Sequence, residues 1–177
     1  MRRIPFLIAA ALLVVGCKQQ PAKTPAADTD TPTVATAPSA QPSLEEGQAQ
    51  LETAAKEPGA QRFHVSSPRG DGDIVVKTLT PGTGASPKAT DTVKVNYRGT
   101  LANGTEFDSS YKRHEPISFP LSRVVPCWTE GLQHMKVGEK AKITCSSATA
   151  YGTRGAPPVI PPNATLTFEV ELLGIGG

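Results

Sequence analysis

Three stretches of the chain alternate apolar and polar residues with the two-residue period of a strand buried on one face only. Val93, Val95 and Tyr97 alternate with Lys94, Asn96 and Arg98; Ala141, Ile143 and Cys145 alternate with Lys140, Lys142 and Thr144; Leu166, Phe168, Val170 and Leu172 alternate with Thr167, Glu169 and Glu171. Successive side chains of a strand point to opposite faces, so each stretch offers one apolar row to a core. Rows of this kind belong to antiparallel sheets, because all-parallel sheets are covered on both faces and read as continuous apolar runs. Asn103-Gly104 is a two-residue turn signal between the run ending at Leu101 and the run Thr105 to Asp108. Trp128, Leu132 and Met135 recur at i, i+4 and i+7, one face of a short helix laid on that sheet. The expected fold class is α+β, a twisted antiparallel β-sheet wrapped on one short α-helix.

With 177 residues and 38 % hydrophobic content, the chain supports one core plus appendages. Its 18 basic and 16 acidic residues are spread without long runs, which argues against nucleic acid as a partner. His64, His114 and His134 share no ligand-like spacing with one another or with cysteine, so neither a metal nor another cofactor is expected.

The N-terminus indicates a compartment. Arg2 and Arg3 precede an apolar run from Ile4 to Val15, interrupted by Pro5, which is too short to span a bilayer and has the order of a secretion signal. Residues 1–16 are expected to be that signal. The run ends in Leu13-Val14-Val15-Gly16-Cys17, which resembles the bacterial lipobox; the alternative is an ordinary cleaved signal with an incidental cysteine. Acyl chains such as palmitate on Cys17 would hold the protein to a membrane, each buried CH₂ contributing about 0.8 kcal/mol. Lys18, rather than an aspartate, follows the cysteine, so the expected location is the outer membrane, facing periplasm or cell surface.

Residues 17–60 read as a lipidated N-terminus and tether. From Lys18 to Ser43 the composition is mainly Pro, Ala, Thr, Gln, Ser and Asp, with Val34 the only large aliphatic residue, too little apolar surface to offset its ordering entropy. As a coil of roughly 26 residues it would reach about 28 Å r.m.s.. A short helix is expected over residues 44–57, with Ser43 as N-cap and Glu46 as its capping-box partner. Its apolar face, Leu44, Leu51, Ala54 and Ala55, is thin for a dimerisation coil, and a helix of this length is marginal alone. Pro58-Gly59 ends it, and residues 61–177 form the folded domain.

Five strings in that domain carry a family resemblance: Val95-Asn96-Tyr97-Arg98-Gly99; Gly104-Thr105-Glu106-Phe107-Asp108-Ser109-Ser110; Val124-Val125-Pro126-Cys127-Trp128-Thr129-Glu130-Gly131; Ala150-Tyr151-Gly152; and Val159-Ile160-Pro161-Pro162-Asn163-Ala164-Thr165-Leu166. In this order and at this spacing, over about Gly72 to Ile175, they resemble the signatures of the FKBP-type peptidyl-prolyl cis/trans isomerases, in the Mip-like branch of bacterial lipoproteins. The resemblance implies an apolar pocket lined by Tyr97, Phe107, Ile117, Val124, Val125, Trp128, Val159, Ile160 and Phe168, with Trp128 as floor and Val159 at the rim. It implies Tyr151 as hydrogen-bond donor to the carbonyl of the substrate, Asp108 as the second catalytic residue, and Tyr97 and Arg113 as partners of the Asp108 carboxylate. Proline-containing polypeptides would be the substrates, and macrolides of the tacrolimus or rapamycin type the inhibitors. Ala156 departs from a histidine often found in the late loop, and Leu121 to Trp128 is about two residues shorter than in the small cytosolic members; both changes touch the rim. No long N-terminal helical domain of the dimeric Mip type is seen, so a monomer is expected.

Such a pocket addresses a barrier of about 18–20 kcal/mol, set by the amide resonance that rotation about C–N destroys. The twisted amide is less charge-separated than the planar one, so a dry apolar recess disfavours the planar form more. A ten-thousand-fold acceleration needs about 5.5 kcal/mol of differential stabilisation and no nucleophile. The expected function is isomerisation of Xaa-Pro bonds in envelope or exported proteins; the alternative is a non-catalytic peptide-binding chaperone using the same groove. Two cysteines remain. Cys127 opens the short helix and Cys145 shares the inward phase of Ile143 on a strand that helix would cover, so in an oxidising compartment they form either a disulfide or a pair of buried thiols.

Overall fold

The computed structural model describes residues 44–176 except residue 69. The expected signal sequence, Cys17 and the tether to Ser43 lie outside the described residues. Seven strands form one antiparallel sheet: β1 (Ala60–Val65), β2 (Gly72–Thr80), β3 (Thr92–Leu101), β4 (Glu106–Ser109), β5 (Ile117–Pro120), β6 (Lys140–Cys145) and β7 (Leu166–Ile175). Their order is β1-β2-β6-β7-β3-β4, with β5 beside β4 on the same side of β3.

The three alternating stretches become the middle of this sheet. Ala141 lies opposite Val170, Ile143 opposite Phe168 and Cys145 opposite Leu166. Tyr97 is on the other side of Val170, and Gly99 on the other side of Phe168. Directly opposed residues of an antiparallel pair share a face, so these rows merge into one apolar surface. Val93, Val95, Ile143, Leu166, Val170 and Leu172 on it are fully buried.

The helix α3 (Pro126–Gln133) lies on that surface, begun by Pro126, whose missing N–H costs nothing at the first helical position. Trp128, Leu132 and Met135 are buried as their spacing predicts, Met135 just beyond the helix end. Gly131 allows the close approach: a Cβ there would stand 3.1 Å from Ile143. Cys127 and Cys145 form a disulfide between α3 and β6 across an 18-residue separation, with Cα atoms 5.8 Å apart. Closing a loop of that size stabilises by about 3 kcal/mol on the chain-entropy account.

The β3–β4 turn sits one residue earlier than an Asn-Gly pair at its centre requires. The Gly104 N–H donates to the Leu101 carbonyl at 2.9 Å, so Ala102 and Asn103 are the central pair. Gly104 follows at φ +82°, as in hairpins that close a type I turn with a left-handed glycine.

The opposite face of the sheet carries α1 (Leu44–Ala55). On β2, Ile74 and Val76 point to the main core while Val75 points the other way, into a small cluster with Leu51 and Ala54. Gly47 is buried against Thr165, whose Oγ1 would stand 2.3 Å from any Cβ at that position. Glu57, just after the helix, pairs with Lys77 at 2.6 Å and also with Lys142. Contacts far along the chain thus supply what the helix lacks locally.

Candidate active site

Tyr97 on β3, Phe107 and Asp108 on β4, Ile117 and Phe119 on β5, Trp128 on α3 and Phe168 on β7 converge around a cavity of about 670 Å³. Arg113, from the short helix α2 (Ser110–Arg113), Arg123, Val124, Val125 and Tyr151 complete its lining. Trp128 is the hub of the wall. Its ring meets Tyr97 at 5.2 Å, Phe168 at 5.3 Å and Phe119 at 5.6 Å between centroids, each at interplanar angles from 84° to 90°. Phe107 meets Phe168 at 5.6 Å in the same edge-to-face manner. Perpendicular aromatic pairs add about 0.5–1.5 kcal/mol each beyond burial, so the wall is stiff as well as apolar.

Gly99 makes this wall possible. A Cβ on it would stand 2.6 Å from Phe107 Cζ and 3.0 Å from Phe168 Cε1, so only a bare backbone lets both rings lie over β3.

Asp108 closes one side of the cavity. It accepts hydrogen bonds from the Tyr97 hydroxyl, from Arg113 and, at 2.8 Å, from the Ser109 backbone N–H. Arg113 also donates to the Tyr97 oxygen at 2.9 Å, and its guanidinium carbon lies 5.6 Å from that ring's centroid. Burial pushes the Asp108 carboxyl up, but the Tyr97 and Arg113 hydrogen bonds outweigh it and hold the group below the usual aspartate range. Burial, reinforced by the bond to Asp108, pushes the Tyr97 phenol to about 12. At neutral pH the trio is therefore carboxylate, phenol and guanidinium, a fixed arrangement without a group poised to move a proton.

Tyr151 differs. Its ring borders the cavity, it is 37 % exposed, and its hydroxyl has no hydrogen-bond partner among the described residues. The donor is free for a ligand.

Ten of the twelve residues expected at the site line this one cavity. Val159 and Ile160 do not. The chain folds back where Ala156 and Ile160 exchange backbone hydrogen bonds at 2.8 and 3.0 Å; Ile160 turns into the core and Val159 stands 52 % exposed. Phe119 and Arg123 are additional. Phe119 was legible, two residues from Ile117 on one strand and hence on the same face. Arg123 carried no signal, since its place depends on the 3₁₀ turn Leu121–Arg123 that leads to α3.

The family model for FKBP-type peptidyl-prolyl cis-trans isomerases matches residues 84–173. The chain belongs to this family. An FKBP-type peptidyl-prolyl cis-trans isomerase FkpA of Aeromonas hydrophila is 61 % identical over 94 residues, which are 53 % of this chain and 35 % of that protein. This chain thus spans about a third of the length of that relative. FK506-binding protein 1 of Rhizopus delemar is 51 % identical over 105 residues, 58 % of this chain and 97 % of the fungal protein. The crystal structure of a peptidyl-prolyl cis-trans isomerase from Pseudomonas syringae superposes with a TM-score of 0.66 at 33 % identity, covering 85 % of this chain and all of the other. FKBP membership accounts for the convergence of the five sequence strings, since each contributes to the sheet, to α3 or to the loop that carries Tyr151.

Proposed function

We propose that this FKBP-family chain is a peptidyl-prolyl cis/trans isomerase that assists folding of envelope or exported proteins from a lipid anchor. The observation that carries the catalytic part is the open aromatic cavity with Trp128 at its base and, at its edge, a Tyr151 hydroxyl without a hydrogen-bond partner among the described residues. A proline ring enters against Trp128, Phe107 and Phe168 and loses its water. The planar amide, the more dipolar form, suffers more from that loss than the twisted one. Tyr151 donates to the substrate carbonyl and fixes it while the C–N bond turns. Asp108 acts as a positioning group, holding Tyr97 and Arg113 against the wall.

The anchor rests on Arg2, Arg3, the apolar run and Cys17, and places the domain in the bacterial envelope, at the outer membrane. A single-chain unit is supported by α1, which turns Leu51 and Ala54 onto its own sheet. Macrolides of the FK506 type are proposed to occupy the same cavity, by analogy with the FK506-binding relative.

The deciding experiment is an exchange or protease-coupled assay on Xaa-Pro peptides, whose uncatalysed isomerisation takes tens of seconds. Acceleration, inhibited competitively by FK506, is the expected result. A protein that binds the peptide and leaves its rate unchanged would be the non-catalytic chaperone instead. Labelled palmitate incorporated into the wild type and absent from Cys17→Ser tests the anchor.

A further inference from the structure

The Cys127–Cys145 disulfide joins the two chain segments that carry the floor and the free hydroxyl of the cavity. Cys127 is followed directly by Trp128. Cys145 ends β6, and from it the chain runs through a short hydrogen-bonded turn to Tyr151. That turn is tight: Ser146 N donates to Asp73 O at 3.1 Å, Thr149 N and Oγ1 to Ser146 O at 3.1 and 3.0 Å, and Ala150 N to Ser147 O at 3.0 Å. Ala150 is fully buried, so the turn is pinned at both ends. On the other segment, Trp128 N donates to Val125 O at 2.9 Å and Thr129 Oγ1 to Leu121 O at 2.7 Å.

Both half-cystines are buried and neither lines the cavity, so any effect on a ligand passes through their neighbours. α3 has only eight residues, too few to hold its own geometry in water. It lies on β6 through apolar contacts such as Gly131 on Ile143, which resist separation better than they resist sliding. A covalent tie at the first turn of the helix removes that freedom where the indole is attached. The strand on its far side needs no help, because β6 is paired to β2 and β7 along its whole length.

We propose that Cys127 and Cys145 are a positioning pair: their bridge fixes the distance between the Trp128 floor and the Tyr151 hydroxyl, and thereby tunes turnover beyond its contribution to stability. The proposal deepens the isomerase reading and rests on it for the kinetic outcome. A displacement of about 1 Å in a positioned group can cost up to about a hundred-fold in rate, and a loosened rather than lost floor should cost about ten-fold in kcat/KM.

The test compares wild type, the double variant Cys127→Ala/Cys145→Ala, and Leu51→Ala, all well below their unfolding temperatures. Leu51 lies under α1 on the face of the sheet away from the cavity, so it controls for stability alone. Trp128 is the only tryptophan, which makes acrylamide quenching a direct report on the floor. The double variant is expected to lose about ten-fold in kcat/KM and to be quenched more readily, while Leu51→Ala keeps both values. Unchanged quenching in the double variant, or an equal kinetic loss in Leu51→Ala, overturns the proposal. Where the double alanine variant does not fold, Cys127→Ala/Cys145→Val gives the same comparison with the strand position refilled. An oxidised wild type without any isomerase activity sinks the isomerase reading separately, and the quenching comparison still decides whether the bridge fixes the indole.

Discussion

Tyr151→Phe separates a ligand contact from a structural one more cleanly than any other change in the cavity. The substitution deletes one oxygen and keeps the ring. That oxygen has no partner among the described residues and the side chain is 37 % exposed, so no buried group is orphaned by its loss. Stability should then move by no more than about 0.5 kcal/mol, the range of surface changes away from special features. A substrate carbonyl in the cavity would lose one neutral hydrogen bond, with a net value of about 0.5–1.5 kcal/mol. At 1.36 kcal/mol per factor of ten, this becomes roughly a two- to thirteen-fold fall in kcat/KM. The assay is isomerisation of a Xaa-Pro peptide beside a thermal melt of the same preparations. Undiminished kcat/KM in the phenylalanine variant would refute the donor role, and a fall matched by an equal loss of stability would show that the hydroxyl serves the fold.

Asp108→Asn should lose its stability deficit relative to wild type in acid. The folded carboxyl sits below its unfolded value, so its contribution is complete above about pH 3.9 and fades as pH falls through the lower folded value; melting temperatures of the two proteins from about pH 6 to 2 are expected to converge. Asp108→Ala should lower turnover more than stability, because the carboxylate is 40 % exposed and its ion pair is screened; equal losses would undo its assigned role. Adding Arg113→Met to Asp108→Ala should restore part of kcat, and a further fall in the double variant would count against neutralisation of Arg113 as the role of Asp108. Gly99→Ala should push the Phe107 and Phe168 rings apart, costing about 1–3 kcal/mol as overpacking does and raising KM for proline peptides; an unaltered KM would mean that the rings do not bound the substrate.

The strand pattern was legible because a two-residue period has one structural meaning once one face is buried, and β3, β6 and β7 follow it residue by residue. Trp128, Leu132 and Met135 were legible for the same reason on a helix. Long-range packing was not. Leu51 reads in sequence as part of a thin apolar helix face, and its burial depends on Val75 of β2, which lies on the face opposite its neighbours Ile74 and Val76. Phe119 could have been read from its phase with Ile117. Arg123 could not, since a three-residue turn decides where it points. Val159 and Ile160 were expected together at the pocket, yet beside the Ala156–Ile160 backbone bridge one turns into the core and the other to solvent, and no periodicity in so short a segment gives either direction.

A charged residue in the wall of an apolar catalyst needs a physical justification, because a lone cation near the carbonyl would favour the planar, more dipolar amide and so raise the barrier. Arg113 avoids this by being held against Asp108, and the two opposite charges in contact form a dipole whose field decays faster than that of either charge alone. The Tyr97 hydroxyl takes up a second oxygen of the same carboxylate, which keeps the pair oriented. The cavity is left with a rigid aromatic wall, little net field from its Asp108 side, a Tyr151 hydroxyl without a hydrogen-bond partner among the described residues, and the solvent-exposed Arg123 as the cation of the lining outside this pair. On this account Asp108 serves catalysis by neutralising Arg113 rather than by touching substrate, and its removal is harmful chiefly for the cation it leaves behind.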